Sequence, residues 1–240
     1  MNVCVDSLIF ELTRKCNMNC AHCLRGHAQN VDLQKETVDK VLAAVDNIYS
    51  ITFSGGEPSL NIPMIDYIMR KCEELGKLPS AFYVVTNGKQ NVLDLAITML
   101  KWYGRMEEPD MCGLALSSDK FHEEPMKDEV CVLKGLSFFR PEDKAQDPNH
   151  DRWILNSGNA LENGIGYRPA EEDLTIRAEL YDDWATVEML YVSANGKICG
   201  NCDASYETVD YFAEYDADSV HEALRRAVDG DDLDFVEEVA

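Results

Sequence analysis

Three cysteines, Cys16, Cys20 and Cys23, fall within eight residues, with His22 directly before the last. Thiolates are soft ligands, and three on one short loop can hold three corners of a [4Fe-4S] cube. Electron-transfer cubes normally take four cysteines, so three leave one iron open to a small ligand, which converts a carrier into a catalyst. Two other readings compete: a zinc knuckle with His22 or His27 as fourth ligand, and a group of buried core cysteines. Zinc sites usually space their paired ligands two residues apart, whereas the gaps here are three and then two. The total of nine cysteines is odd, which suits metal ligation better than a disulfide framework.

A second group is Ser54-Gly55-Gly56-Glu57-Pro58. Glycines allow close backbone approach, and a glutamate can meet an ammonium through a charge-assisted hydrogen bond. Asn87, Ser117 and Asp119 follow in Thr86-Asn87-Gly88 and Ser117-Ser118-Asp119, and His122 and Glu123 lie just beyond. A later pair, Cys199 and Cys202, reads as structural, substrate-facing or an auxiliary metal site.

These groups need elements to position them. Leu8 to Leu12 is a predicted strand running into the cysteines, and Ile51 to Phe53, Phe82 to Val85 and Leu114 to Leu116 are further strands. Between them, helical stripes are predicted from Val38, Val41, Leu42 and Val45, from Ile65, Ile68, Met69, Cys72 and Leu75, and from Leu93, Ala96, Ile97 and Leu100. Strands alternating with helices imply a parallel α/β sheet, open or barrel-like. Every candidate polar residue named so far between Cys16 and Asp119 follows a strand, and the carboxyl ends of parallel strands carry chemistry in such architectures.

The later half is less regular. Pro141 to Arg152 reads as an insertion or loop, and Trp153-Ile154-Leu155 as a fifth strand. Asn195-Gly196 between apolar runs predicts a hairpin. A terminal helix is expected from Val220, Ala223, Leu224, Ala227 and Val228, with Gly230 as its stop and an acidic tail beyond.

Cys-x3-Cys-x2-Cys after a first strand, followed by Gly-Gly-Glu-Pro after a second, resembles the radical SAM superfamily, and the resemblance runs from Leu8 to Cys202. It implies a partial (βα)6 barrel of TIM type over residues 1–203, with a helical extension over 204–240. It also implies a [4Fe-4S] cluster and S-adenosylmethionine (SAM) as cofactors. Cys16, Cys20 and Cys23 would be the iron ligands and Gly55, Gly56 and Glu57 would position the SAM amino group, while Asn87, Ser117 and Asp119 would hold the rest of SAM and His22 would lie near the adenine. The implied activity cleaves SAM to methionine and a 5'-deoxyadenosyl radical, which takes hydrogen from a small molecule or peptide under anaerobic conditions. A one-electron reductant such as flavodoxin or ferredoxin would be a partner, docking at a basic patch of Arg14, Lys15 and Arg25. The sequence departs from the family's pattern in Asn156 to Ala160, where relatives often have Gly-Arg-Ala. Asn159 stands in the arginine's place and cannot supply its charge, so Arg152 or Arg168 is the expected substitute for the SAM carboxylate.

Composition narrows the partners. The 240 residues hold 22 Lys+Arg and 44 Asp+Glu, a formal net charge of -22, which repels phosphate backbones and anionic lipid and argues against nucleic-acid and membrane partners. No apolar run reaches the roughly 18 to 20 residues of a membrane span, and no basic-then-apolar leader opens the chain, so a cytoplasmic enzyme is expected. The alternative from another class is a non-enzymatic zinc or iron-sulfur module for partner binding.

Overall fold

A computed structural model describes residues 2–117, 119–122, 125, 127–140, 150–170 and 173–237. The first half is a run of βα units: β1 (Asn2–Glu11), α1 (Lys35–Ala44), β2 (Asn47–Ser54), α2 (Ile62–Glu74), β3 (Ala81–Thr86), α3 (Val92–Tyr103), β4 (Gly113–Leu116), α4 (Lys127–Lys134) and β5 (Phe139–Arg140). Leu8 pairs with Ile51, Phe53 with Val84 and Val84 with Leu114, so β1 to β4 lie side by side and parallel, with β5 added at the edge. Val38, Val41 and Leu42 of α1, and Ile65, Ile68, Met69 and Cys72 of α2, are buried against the sheet as their spacing predicts. Each large aliphatic side chain so buried stabilises the fold by about 1.5 to 3 kcal/mol.

The predicted α3 face is wrong. Leu93, Ile97 and Leu100 are exposed, and the buried stripe is Val92, Leu95, Ala96, Met99 and Trp102. That helix carries two apolar stripes, and the one that reaches the core ends in Trp102, the largest fully buried side chain. Packing area rather than periodicity decides between them.

The second half adds β6 (Leu155–Asn156), α5 (Gly158–Glu162), β7 (Arg168–Pro169), β8 (Ala178–Tyr181), β9 (Trp184–Val192), β10 (Lys197–Cys199), α6 (Tyr206–Phe212), β11 (Tyr215–Asp216) and α7 (Val220–Glu237). Residues 141–149 of the expected insertion lie outside the described residues. The expected fifth strand at 153–155 does not join the main sheet. His150–Trp153 is a 3-10 turn, and Leu155 and Asn156 pair with β7 in a separate two-stranded sheet. The Asn195-Gly196 hairpin is present, with Val192 paired to Ile198 and Gly196 at φ +89°.

The sheet runs β11-β10-β9-β1-β2-β3-β4-β5. Six of its strands, β9 and β1 to β5, are parallel, as a six-stranded partial barrel requires. The sixth parallel strand, β9, pairs with β1 and not with β5. The protein is thus an α/β fold around a parallel sheet. α7 buries Val220, Ala223, Leu224 and Val228 in the same core as the sheet and continues past Gly230 to Glu237. A glycine inside a helix costs only about 1 kcal/mol, which does not end it unaided. Among the described residues, no helix is long and apolar enough to cross a membrane.

Candidate functional site at the carboxyl ends of the parallel strands

Register brings the chemistry together. Glu11 pairs with Ser54, and Thr86 with Leu116. The segments that follow these strands carry the cysteines, the glycine-rich turn, Asn87 and Ser117, and therefore meet at one end of the sheet. Cys16, Cys20, Cys23, His22, Gly55, Gly56, Glu57, Asn87, Ser117 and Asp119 all line one cavity of about 460 Å³.

The cysteine loop is clamped on three sides. On the first, Gly56 N–H donates to Thr13 O at 2.7 Å and Glu57 N–H to Lys15 O at 2.9 Å. A Cβ on Gly55, which sits at φ +150°, would lie 2.5 Å from Thr13 O, and one on Gly56 would strike Lys15 O. The glycines are needed here because backbone packs directly on backbone. On the second side, Asn87 Nδ2 donates to Asn17 Oδ1 at 2.8 Å, beside the Cys16 thiol. On the third, α5 closes the loop: Asn159 N–H donates to Cys23 O at 2.9 Å and Asn159 Nδ2 to Cys20 O at 3.0 Å. Asn159 thus braces the loop.

Glu57 is 1% exposed. Its Oε1 accepts from Ser59 N–H at 3.1 Å and Thr86 Oγ1 at 2.7 Å, and its Oε2 accepts from Asn87 N–H at 2.8 Å. The carboxylate therefore ties the ends of β2 and β3 together, with a lone pair of Oε2 to spare.

Asp119 anchors a histidine pair. Its Oδ1 accepts from Phe121 N–H at 2.8 Å, His122 N–H at 3.1 Å and His122 Nδ1 at 2.8 Å, while its Oδ2 faces His22 Nε2 at 3.4 Å. Burial disfavours the charged carboxylate, but the hydrogen bonds from His122, His22 and Phe121 outweigh it and hold the group well below the ordinary range. His22 stacks on Phe121 with centroids 4.7 Å apart, so a ring at this position packs against a second ring in the protein. His122, which the sequence places just beyond Asp119, joins the cavity wall. Glu123 lies outside the described residues.

The donor set fits an iron-sulfur cluster. All nine cysteines are free thiols. The sulfurs of Cys16, Cys20 and Cys23 are not gathered within 4.8 Å of one another, whereas the ligand atoms of His22, Asp119 and His122 are. Thiolates around one zinc ion sit about 3.8 Å apart, so the three thiols as placed are not a tetrahedral zinc set. Burial pushes the Cys16 thiol up from its ordinary value, and its proton leaves when a metal binds. Cys202 also lines the cavity, while Cys199 is buried in a second small hydrophobic cluster, where burial pushes its thiol up to about 11.

Two expectations fail. The basic docking patch does not exist, because Arg14 is 1% and Arg25 8% exposed and Lys15 is paired with Asp32. Arg14 spends its guanidinium on Asp210 at 2.7 Å and on Glu11 at 3.3 Å. Arg152 and Arg168, the expected carboxylate partners, are exposed and outside the cavity wall. The first error comes from reading charged residues as surface residues, which is the ordinary case but not the one for Arg14 and Arg25, whereas Arg152 and Arg168 do lie on the surface.

Residues 10–104 match the family described as the radical SAM superfamily. That segment runs from the end of β1 through α3 and contains both the cysteine loop and the glycine-rich turn, so the superfamily resemblance read from the motifs holds across it. An uncharacterized protein of Methanocaldococcus jannaschii is 36% identical over 70 residues, which are 28% of this chain and 24% of that protein. The match thus spans about a quarter of the relative's length. Among solved structures, anSMEcpe with bound AdoMet shows 15% identity and a TM-score of 0.45, covering 74% of this chain and 55% of that one. Streptococcus suis SuiB bound to its precursor peptide SuiA shows 12% identity and a TM-score of 0.39, covering 90% and 64%.

Proposed function

We propose that this protein is a radical SAM enzyme that holds a [4Fe-4S] cluster on Cys16, Cys20 and Cys23 and binds SAM in the adjoining cavity. The observation that carries this reading is the backbone-to-backbone seating of Gly55 and Gly56 on the base of the cysteine loop, which joins the two motifs in one cavity wall. When bound, the cluster supplies one electron and SAM supplies the 5'-deoxyadenosyl radical that removes hydrogen from a small-molecule or peptide substrate. The protein's own residues orient and enclose. Gly55, Gly56 and the remaining lone pair of Glu57 would receive the amino group, and Asn87 and Ser117 would line the path of the ribose. His22, stacked on Phe121, would form the adenine wall, with Asp119 fixing its orientation. A flavodoxin or ferredoxin would deliver the electron, at a surface other than Arg14 and Arg25.

Anaerobic reconstitution should give about four irons per chain and, with SAM and dithionite, 5'-deoxyadenosine and methionine. Cys20→Ala should lose both the cluster absorbance and the product. An intact cluster that never turns over SAM would remove the proposal, as would one bound zinc with no iron-sulfur absorbance.

A further inference from the structure

Arg25 lies two residues beyond Cys23 and is 8% exposed. Its Nη1 donates to Ala204 O at 2.8 Å, and its guanidinium carbon sits 4.7 Å from the ring centroid of Tyr191, which is itself fully buried. These two contacts fix the head group. Its Nε and Nη2 have no acceptor among the described residues, yet neither is a sealed atom, and Arg25 is the sole lysine or arginine in the cavity wall. Arg25 thus lines the cavity with two donor nitrogens unbonded.

A buried guanidinium with no carboxylate bonded to its fork is costly, and that fork of donors matches a carboxylate. None of the protein's own described carboxylates bonds that fork. Glu11 bonds Arg14 and Ala194 N–H through Oε2 and acts on Arg25 only as a charge at a distance, its Oε1 carrying no hydrogen bond, while Glu57 bonds β3, Asp119 holds the histidines, and the exposed Asp203 makes no ion pair with Arg25. Arg14 makes the contrast, since its fork is filled by Asp210 and Glu11. We propose that Arg25 is the carboxylate-binding residue of this cavity, taking up the anionic end of a bound ligand through its free guanidinium edge. With Asn159 committed to the cysteine loop, the positive charge is carried by the loop itself.

The carboxylate can come from SAM, in which case the inference rests on the proposed function, or from an acidic substrate. Binding of SAM and of decarboxylated SAM to cluster-loaded protein, measured by calorimetry, separates the sources when joined to a second titration with benzoate at saturating SAM. If SAM is the source, wild type should prefer it to the decarboxylated form, and Arg25→Gln should weaken SAM alone by roughly 10- to 100-fold. If substrate is the source, SAM affinity is unchanged and benzoate binding is lost in Arg25→Gln. No difference between wild type and Arg25→Gln in either titration overturns the proposal. Should Arg25→Gln not fold, Arg25→Lys keeps the charge but not the fork, and a severalfold loss in one arm is expected; equality with wild type in both overturns it. A wild-type protein that holds a cluster yet binds no SAM would fail the proposed function separately, and the benzoate titration on apo protein would then decide Arg25.

Discussion

Gly55→Ala tests whether the glycine-rich turn is a packing device. An added Cβ lies 2.5 Å from Thr13 O, and ordinary contact begins at 3.4 Å, so the turn and the cysteine loop must separate by about 0.9 Å. Thr13 O is also the acceptor for Gly56 N–H at 2.7 Å, and the same movement stretches that bond beyond useful length. Forced overpacking costs about 1 to 3 kcal/mol, the lost hydrogen bond about 1, and a non-glycine residue at φ +150° about 1 or more. Together these give about 3 to 5 kcal/mol, or about 10 °C in melting temperature for a chain of this size. Urea unfolding of the apo protein measures it, with Gly104→Ala as control. Gly104 closes α3 at φ -67° with nothing within 4 Å of an added Cβ, so that variant should be neutral or slightly stabilised. If Gly55→Ala unfolds within about 0.5 kcal/mol of wild type, the packing argument is refuted.

Glu57→Gln should lose about 2 to 4 kcal/mol, because a carboxylate accepting three donors becomes an amide that turns an N–H toward at least one of them; chemical denaturation reads the loss, and an unchanged midpoint would contradict the tie between β2 and β3. Asp210→Ala should cost about 3 kcal/mol by leaving the Arg14 guanidinium buried with only Glu11 as counter-charge, again read by urea unfolding. Asp119 is held below its unfolded value, so its contribution is complete at neutral pH, above the ordinary carboxyl range near 3.9, and is lost as pH falls below that value. The stability gap between wild type and Asp119→Asn, followed by urea titration from pH 6 to pH 3, should therefore shrink with acid; a gap that grows would reverse the assignment.

The sequence by itself determined the cysteine spacing, the Gly-Gly-Glu turn, the βα rhythm from β1 to β4, the Asn195-Gly196 hairpin and the apolar face of α7. All of these depend on contacts within a few residues, on backbone permissiveness or on local periodicity, which one strand of text contains. Tertiary structure alone decided that β9 lies beside β1 and that Trp102 selects the buried face of α3, since each is settled by competition among distant apolar surfaces. It alone also turned Arg14 and Arg25 inward. A charged residue's burial depends on which partners the fold brings to it, and those partners, Asp210 for Arg14 and Ala204 and Tyr191 for Arg25, lie more than 160 residues away along the chain.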